Sequence, residues 1–326
     1  MRADLALIGY GNVAKRFVEL LAGKQARLES DHDLTCRVVA TATRRAGAFY
    51  GGERCRDAFE VIQRLGGSDA DLRIVVETTT LDIRDGEPAI SHMRAGIDAG
   101  CHVVTANKGP VAFAYDELSE AAARAGVRFL FEGAVMDGIP VFNLVRETLP
   151  AVDIVGFEGV VNTTTNQIIT ALEAGEPFAD ALARMQAEGI AEADPSLDVD
   201  GWDAAAKTAA LANVLMQART TPRHVRRRGL DATTAEAARQ ALSRGHRLKL
   251  VASARRDDTG ALSLVVEPRE LPREHLLAGL AGGANALILD TDILDRIAIC
   301  QLSGSLTQTA YALVADIITV ARWHRR

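Results

Sequence analysis

Apolar positions follow two rhythms along this chain. Over the first part, short apolar runs at 5–8, 37–41, 73–77, 102–105 and 127–131 read as strands. Between them, 12–21, 59–65, 87–99 and 114–125 carry the wider spacing of amphipathic helices. Strands that alternate with helices predict an α/β unit, a parallel sheet covered on both faces. From about residue 133 the rhythm changes. Longer strand patterns stand at 154–161, 248–253, 262–267 and 286–290, with helical ones at 166–174, 178–188 and 201–217. This half is expected to form a separate α+β domain, so that 1–132 and 133–304 are the two domains. The last pattern, at 308–322, is helical with apolar residues at 310, 313, 314, 317 and 318. The segment 305–326 is expected to pack back on the first domain.

Composition narrows the partners. The 326 residues are 48% apolar and 25% charged, as in a globular protein, and their net charge is −6. That balance argues against a nucleic-acid or anionic-membrane surface. Arg226-Arg227-Arg228 is the one dense basic run, and it reads as a solvated stretch. Cys36, Cys55, Cys101 and Cys300 lie far apart without metal-ligand spacing, which suits a reducing compartment. The chain opens on a strand pattern rather than a signal peptide, and no apolar run approaches membrane-spanning length. A cytoplasmic protein with a small-molecule substrate is expected.

The first strand pattern runs directly into Gly9-Tyr-Gly11-Asn12-Val13-Ala14, the G-x-G-x-x-A form of the dinucleotide fingerprint. Gly9 would permit the tight turn, Gly11 the approach of a pyrophosphate, and Ala14 close packing of helix on strand. The first domain is therefore read as a Rossmann-type, doubly wound, dinucleotide-binding sheet. The second strand ends at Thr43-Arg44-Arg45, where an acidic residue would suit NAD. Arginine suits the 2′-phosphate of NADP, with NAD use left open. The strand 102–105 ends in Thr105-Ala-Asn107-Lys108-Gly109, which sets Lys108 at the ligand side of the sheet.

The second domain carries the densest chemistry. Residues 192–207 read EADPSLDVDGWDAAAK and place Glu192, Asp194, Asp198, Asp200 and Asp203 ahead of a single lysine, Lys207. Asp203 and Lys207 stand four apart on one helix face, acid first. By themselves these residues read as a solvated acidic loop followed by an ordinary helical ion pair, although such a site could also hold an ammonium group and keep a lysine near a reacting hydroxyl. A calcium loop is ruled out, because the twelfth position counted from Gly201 as the sixth is Lys207, not glutamate.

The chain resembles homoserine dehydrogenase along nearly its whole length. The matching segments are GYGNVA at 9–14, GEPAISHMRAGIDAG at 86–100, HVVTANKGP at 102–110, EGAVMDGIP at 132–140, NTTTN at 162–166, AEADPSLDVDGWDAAAK at 191–207, RLKLVASA at 247–254 and LTQTAYALVADII at 306–318. The resemblance implies NAD(P)H-dependent interconversion of L-aspartate 4-semialdehyde and L-homoserine, on the route to threonine, methionine and isoleucine. It implies two catalytic lysines, Lys108 and Lys207, and substrate-binding groups on Glu192, Asp198, Asp203 and Thr164. The cofactor set it implies adds Thr78, Thr105, Asn107 and Gly304 to the fingerprint residues and to Arg44 and Arg45. A sodium or similar cation would fall at Glu132, Val135 and the turn at Asp137. The second domain would bind substrate and form a homodimer.

An ordinary lysine is too basic to accept a proton readily at neutral pH. Lys108, beside a second lysine in the cofactor crevice, is expected to transfer the proton, whereas Asp203 would keep Lys207 charged to polarise the substrate oxygen. Thr163 stands where the family usually has glycine, Ile190 where many members have an aromatic residue, and the turn 301–305 keeps only Gly304. A relative acting on another small amino-acid-derived alcohol or aldehyde is therefore an open alternative, and a silent NADP-binding sensor is a second. The chain ends at its last helix, so the family's amino-acid-binding ACT regulatory domain is expected to be absent.

Overall fold

Strand β1 (Arg2–Ile8) is buried from Ala3 to Ile8, and a run without an exposed alternate position belongs at the centre of a sheet. In the computed structural model, which describes residues 1–188, 194–257 and 259–325, β1 is that centre. The elements that follow are α1 (Asn12–His32), β2 (Thr35–Thr43), β3 (Gly47–Tyr50), β4 (Glu53–Cys55), α2 (Ala58–Gly66) and β5 (Leu72–Glu77). After them come α3 (Ala89–Asp98), β6 (His102–Thr105), α4 (Lys108–Ala125) and β7 (Phe129–Leu130). The sheet order is β4-β3-β2-β1-β5-β6-β7.

The strands from β2 to β7 through β1 pair in parallel. The edge pair β3 and β4 is antiparallel, which corrects the all-parallel expectation. Its two strands, Gly-Ala-Phe-Tyr and Glu-Arg-Cys, are too short to show an alternating pattern. Winding leaves β1 towards β2 on one side and resumes at β5 on the other. The crevice beyond the carboxyl ends of β1 and β5 is thus the topological switch point.

Residues 132–146 stay with this sheet through buried acids. The Glu132 carboxylate accepts the backbone N–H groups of Val141, Phe142 and Asn143. The helix α5 (Phe142–Thr148) begins on this tie. Contacts divide the chain into two units, Met1–Arg146 with Ser305–Arg326, and Glu147–Gly304. This division lies beyond the boundary drawn after residue 132 from sequence.

The second unit contains β8 (Ile154–Val160), α6 (Thr163–Glu173), α7 (Phe178–Ala187), α8 (Ser196–Val199) and α9 (Trp202–Met216). It continues with β9 (Arg226–Arg227), α10 (Thr234–Ser243), β10 (His246–Arg256), β11 (Leu262–Pro272), β12 (Asn285–Thr291) and β13 (Arg296–Gln301). Their sheet runs β13-β12-β8-β10-β11-β9, antiparallel except where β9 joins β11. Alanines at 204–206, 209, 210 and 212 make α9 buried nearly all round, since small side chains let a helix lie close to its neighbours. It lies against β8, β10 and β11.

The last helix, α11 (Leu306–His324), returns to the first unit. Ala310, Leu313, Val314, Ile317, Val320 and Ala321 join Phe17, Leu21 and Leu28 of α1 in one apolar core. Each buried Leu, Ile, Val or Phe of this core contributes about 1.5–3 kcal/mol of transfer free energy. No described helix is long and apolar enough to cross a membrane.

Candidate active site

The nucleotide-binding end is assembled at the switch point of the first sheet. Gly9 has φ +93°, and a Cβ there would stand 2.7 Å from the backbone of Thr78, so only glycine fits. The backbone of Thr78 donates to Ile8 O at 2.8 Å and its hydroxyl to Gly9 O at 3.2 Å, tying β5 to the fingerprint loop. Among the described residues, nothing beyond its chain neighbours lies within 4 Å of where a Cβ on Gly11 would stand. Gly11 caps α1 without a side-chain bond, and no acid stands in the first turn. The N–H groups of Asn12, Val13 and Ala14 therefore open a helix whose positive end suits a phosphate. Ala14 is wholly buried.

Arg44 and Arg45 occupy the exposed turn between β2 and β3. Neither makes a hydrogen bond or ion pair among the described residues.

A buried carboxylate that sequence reasoning missed organises the next two strand ends. Glu77 is fully buried and burial pushes it up to about 7, opposed by its hydrogen bonds. It accepts from the N–H and hydroxyl of Thr79 and from the Thr105 hydroxyl. The Thr105 hydroxyl accepts the Asn107 N–H at 2.9 Å, and the Asn107 amide donates to Thr79 O at 3.1 Å. Asn107 also caps α4 by accepting from Gly109 N–H at 2.8 Å. Lys108, half-buried, is the first residue of that helix. The only local sign of Glu77's role was an acid ending an apolar strand.

Further along, Glu132 is 3% exposed and Asp316 1%. Asp316 accepts the Glu132 N–H at 2.9 Å, and its carboxyl is pushed up to about 7 by burial and then by the nearby Glu132 charge. Burial also raises Glu132, against its three backbone donors. Val135 is buried, and Asp137, at φ +52°, accepts from the Thr309 hydroxyl at 2.9 Å. A Cβ on Gly138 would stand 2.2 Å from Gln308 O, so this turn lies directly against α11. Among the described residues, no group of three or more His, Cys, Asp or Glu side chains is placed to hold a metal ion.

The second unit gathers Thr164, Asp198, Asp203 and Lys207. Asn162, which sequence reasoning quoted without singling out, is their hub. Its side-chain oxygen caps α6 on Thr165 N–H at 2.8 Å. Its amide N–H groups donate to Asp198 at 2.7 Å and Asp203 at 2.8 Å. Lys207 Nζ lies 3.1 Å from Asp203 and donates to Val161 O at 2.6 Å. The side chains of Lys207 and Asp203 are 15% and 14% exposed, so the pair is enclosed but reachable.

Asp198 titrates above the usual carboxylate range because of burial first and the Asp203 charge second. The Asn162 and Thr164 hydrogen bonds and the Lys207 charge pull the other way. Two acids, one lysine and two neutral donors make a cradle that can bind an ammonium and hold a positive group beside a hydroxyl. Asp194 instead caps the turn at Ser196 N–H, 3.1 Å away. Glu192 and Ile190 lie outside the described residues. Thr163 accepts from the Asn285 amide at 3.0 Å, and Gly304, exposed, ends the second unit.

Comparison with known proteins agrees with both halves. Residues 9–132 match the homoserine dehydrogenase NAD-binding domain family, and residues 140–318 match the homoserine dehydrogenase family. An NAD(+)-dependent homoserine dehydrogenase of Pseudomonas canavaninivorans is 34% identical over 97% of this chain and 95% of its own length. A homoserine dehydrogenase of Methanocaldococcus jannaschii is 31% identical over 97% of this chain and 98% of its own. The crystal structure of a homoserine dehydrogenase from Thiobacillus denitrificans superposes with a TM-score of 0.88 at 31% identity, covering 100% of this chain and 74% of that one. With an NAD(P)-binding domain in its first part and the family's second domain after it, the chain belongs to the homoserine dehydrogenases, oxidoreductases that act on a CH–OH group.

Proposed function

We propose that this protein interconverts L-homoserine and L-aspartate 4-semialdehyde, with an NAD(P) cofactor, as a cytoplasmic homodimer joined through its second unit. The observation that carries the reading is the Asn162-bridged cluster of Asp198, Asp203 and Lys207 in a chain of this family. Asp198 and Thr164, with Glu192, hold the substrate ammonium by charge-assisted hydrogen bonds. Asp203 sets the height of Lys207 through the ion pair, and Val161 O fixes its direction. Lys207 then presents a positive group to the substrate oxygen. Lys108, at the first turn of α4, takes the hydroxyl proton in the oxidising direction and returns it in the other. The bound cofactor supplies the hydride acceptor.

Gly9, Gly11 and the N–H groups of Asn12, Val13 and Ala14 take the pyrophosphate, with Thr78, Thr105, Asn107 and Gly304 around the remainder. Arg44 and Arg45 favour NADP, because two unpaired guanidinium groups at the end of β2 suit a 2′-phosphate. A second reading, NAD, draws on the Pseudomonas relative, which is described as NAD(+)-dependent. A monovalent cation would be held by Glu132 with the carbonyls of Val135 and Asp137. Two buried carboxylates, Glu132 and Asp316, accept from backbone N–H groups and the Asn143 amide, feel the Arg146 charge as well, and offer oxygens of the kind a cation takes.

The test is reduction of aspartate 4-semialdehyde with NADPH and NADH side by side, followed by a panel of small alcohols. The proposal expects turnover with this aldehyde and a higher kcat/KM for NADPH. Preference for another alcohol would transfer the site to a different substrate. Cofactor binding without any turnover would make the protein a sensor.

A further inference from the structure

Arg226–Arg228, expected to be a solvated basic stretch, runs along the edge of the second sheet, with β9 paired to Val265 and Val266 of β11. Arg226 and Arg228 are exposed, but Arg227 is half-buried and turned onto the substrate cluster's scaffold. Its guanidinium carbon lies 3.7 Å from the centre of the Trp202 ring, and its Nη1 donates to Asp200 O at 2.5 Å. Asp200 and Trp202 flank Gly201, whose φ of +79° makes the corner between α8 and α9. Asp198 lies on the near side of that corner, and Asp203 and Lys207 on the far side.

The backbone is pressed against the same corner. Leu230 N–H donates to Val199 O at 2.8 Å. A Cβ on Gly229 would stand 2.2 Å from Val199 O and 2.6 Å from Asp200 Cα, so only glycine allows this approach. The edge strand is therefore seated on the corner by backbone and side chain together.

Such a tie has work to do. Asp198 and Asp203 share the amide of Asn162, and each carboxylate disfavours the charge of the other. A corner free to open would let the two acids separate. Asn162, with the Lys207 charge and the Thr164 hydroxyl, opposes that from one side. Arg227 grips the corner on both arms, by a carbonyl before Gly201 and a ring after it. A planar guanidinium can stack and donate at once, which an ammonium cannot.

We propose that Arg227 and Trp202 are positioning residues of the substrate site, holding the Asp200–Trp202 corner so that Asp198 stands at binding distance from Asp203 and Lys207. The proposal rests on the reading of Asp198 and Asp203 as substrate-binding groups. It assigns their alignment to a stacked pair outside the acidic cluster.

The test is steady-state homoserine oxidation by the full chain carrying Arg227→Lys, Arg227→Gln, Trp202→Leu, Trp202→Phe or Asp198→Asn. Loss of the stack is expected to raise the homoserine KM about three- to tenfold in Arg227→Lys, Arg227→Gln and Trp202→Leu. The kcat and the cofactor KM are expected to stay within about twofold, and Trp202→Phe, which keeps a ring face, is expected to hold the KM near the parent. Arg227→Gln should add less in the Asp198→Asn background than in the parent, because both act on one alignment. Parental KM values in Arg227→Gln and Trp202→Leu, beside a raised KM in Asp198→Asn, would overturn the positioning role alone. An unchanged KM in Asp198→Asn would instead sink the substrate-site reading beneath it.

Discussion

Lys207 and Lys249 are two enclosed lysines of the same unit, and both end against the start of α6. Lys207 donates to Val161 O, just before the helix, and pairs with Asp203. Lys249 donates to the Asn166 side chain at 2.9 Å and to Leu280 O. Its exposure is 0%, and no carboxylate contacts it among the described residues. The Asn166 amide in turn donates to Gly282 O and Ala284 O, both at 3.1 Å. Every strong bond of Lys249 thus serves to fasten the 280–284 segment to α6. Lys207 keeps an acid partner and some access to solvent. Burial of a lysine does not mark a site; a mixed-charge cluster that a ligand can still reach does.

The widest separation between the two should come from turnover. Lys108→Ala is expected to lower kcat by about 10²–10⁴-fold, the usual size of a lost proton-transfer group. Lys207→Ala is expected to lose about 10²–10³-fold through the missing positive group at the oxygen. Stopped-flow and steady-state assays at saturating homoserine would measure both, and parental turnover in Lys108→Ala would remove it from proton transfer. Lys249→Met, by contrast, should keep kcat within about tenfold, since no bond of Lys249 reaches the acid cluster.

Stability should then reverse the order. Lys249→Ala leaves Asn166 Oδ1 and Leu280 O without their donor and opens a cavity under β10. Denaturant unfolding is expected to show a loss of about 2–4 kcal/mol. Lys207→Ala should lose less, about 1–2 kcal/mol, because Asp203 keeps its Asn162 donor and some access to solvent. Equal losses in the two variants would break the distinction between fastening lysine and site lysine.

How far these roles can be read from the chain depends on distance along it. The Gly9–Ala14 loop was legible because its whole chemistry, turn, open approach and helix start, lies within six consecutive residues. The Asp203–Lys207 pair was legible because its two members stand a single turn apart on α9. Asn162 looked like an ordinary polar residue, because the acids it bridges lie 36 and 41 positions away. Lys249 sits in a strand whose alternation would put it on a solvent face, and its partner Asn166 is 83 residues earlier. Strand β13 and helix α10 passed unnoticed for a different reason. Arg296-Ile-Ala-Ile-Cys-Gln and the alanine-rich 234–243 carry too little apolar contrast to reveal a period. Arg227 was misjudged because a run of three arginines gives no sign of which one finds an aromatic face.

The smallest separation, and the one most particular to Lys249, lies in the alkaline limb of stability. Burial lowers Lys249 from 10.5 to about 8; Glu173 opposes the shift and Arg247 adds to it. Below about pH 8 the folded and unfolded chains both carry the proton, and the cost of a buried charge is present in full. Between about 8 and 10.5 the unfolded chain still binds the proton while the folded chain has released it, so the unfolded state holds more protons and stability rises with pH. This residue's contribution across the window is on the order of 2–3 kcal/mol. Lys249→Met removes the titration and keeps the volume, so its unfolding free energy should lack that rise. Parent and variant compared by urea unfolding from pH 7.5 to 10.5 would therefore diverge, the parent gaining on the variant as pH increases. Parallel curves would mean that Lys249 keeps its proton throughout, held by its two oxygen acceptors, and the contrast between the two lysines would then rest on access to ligand alone.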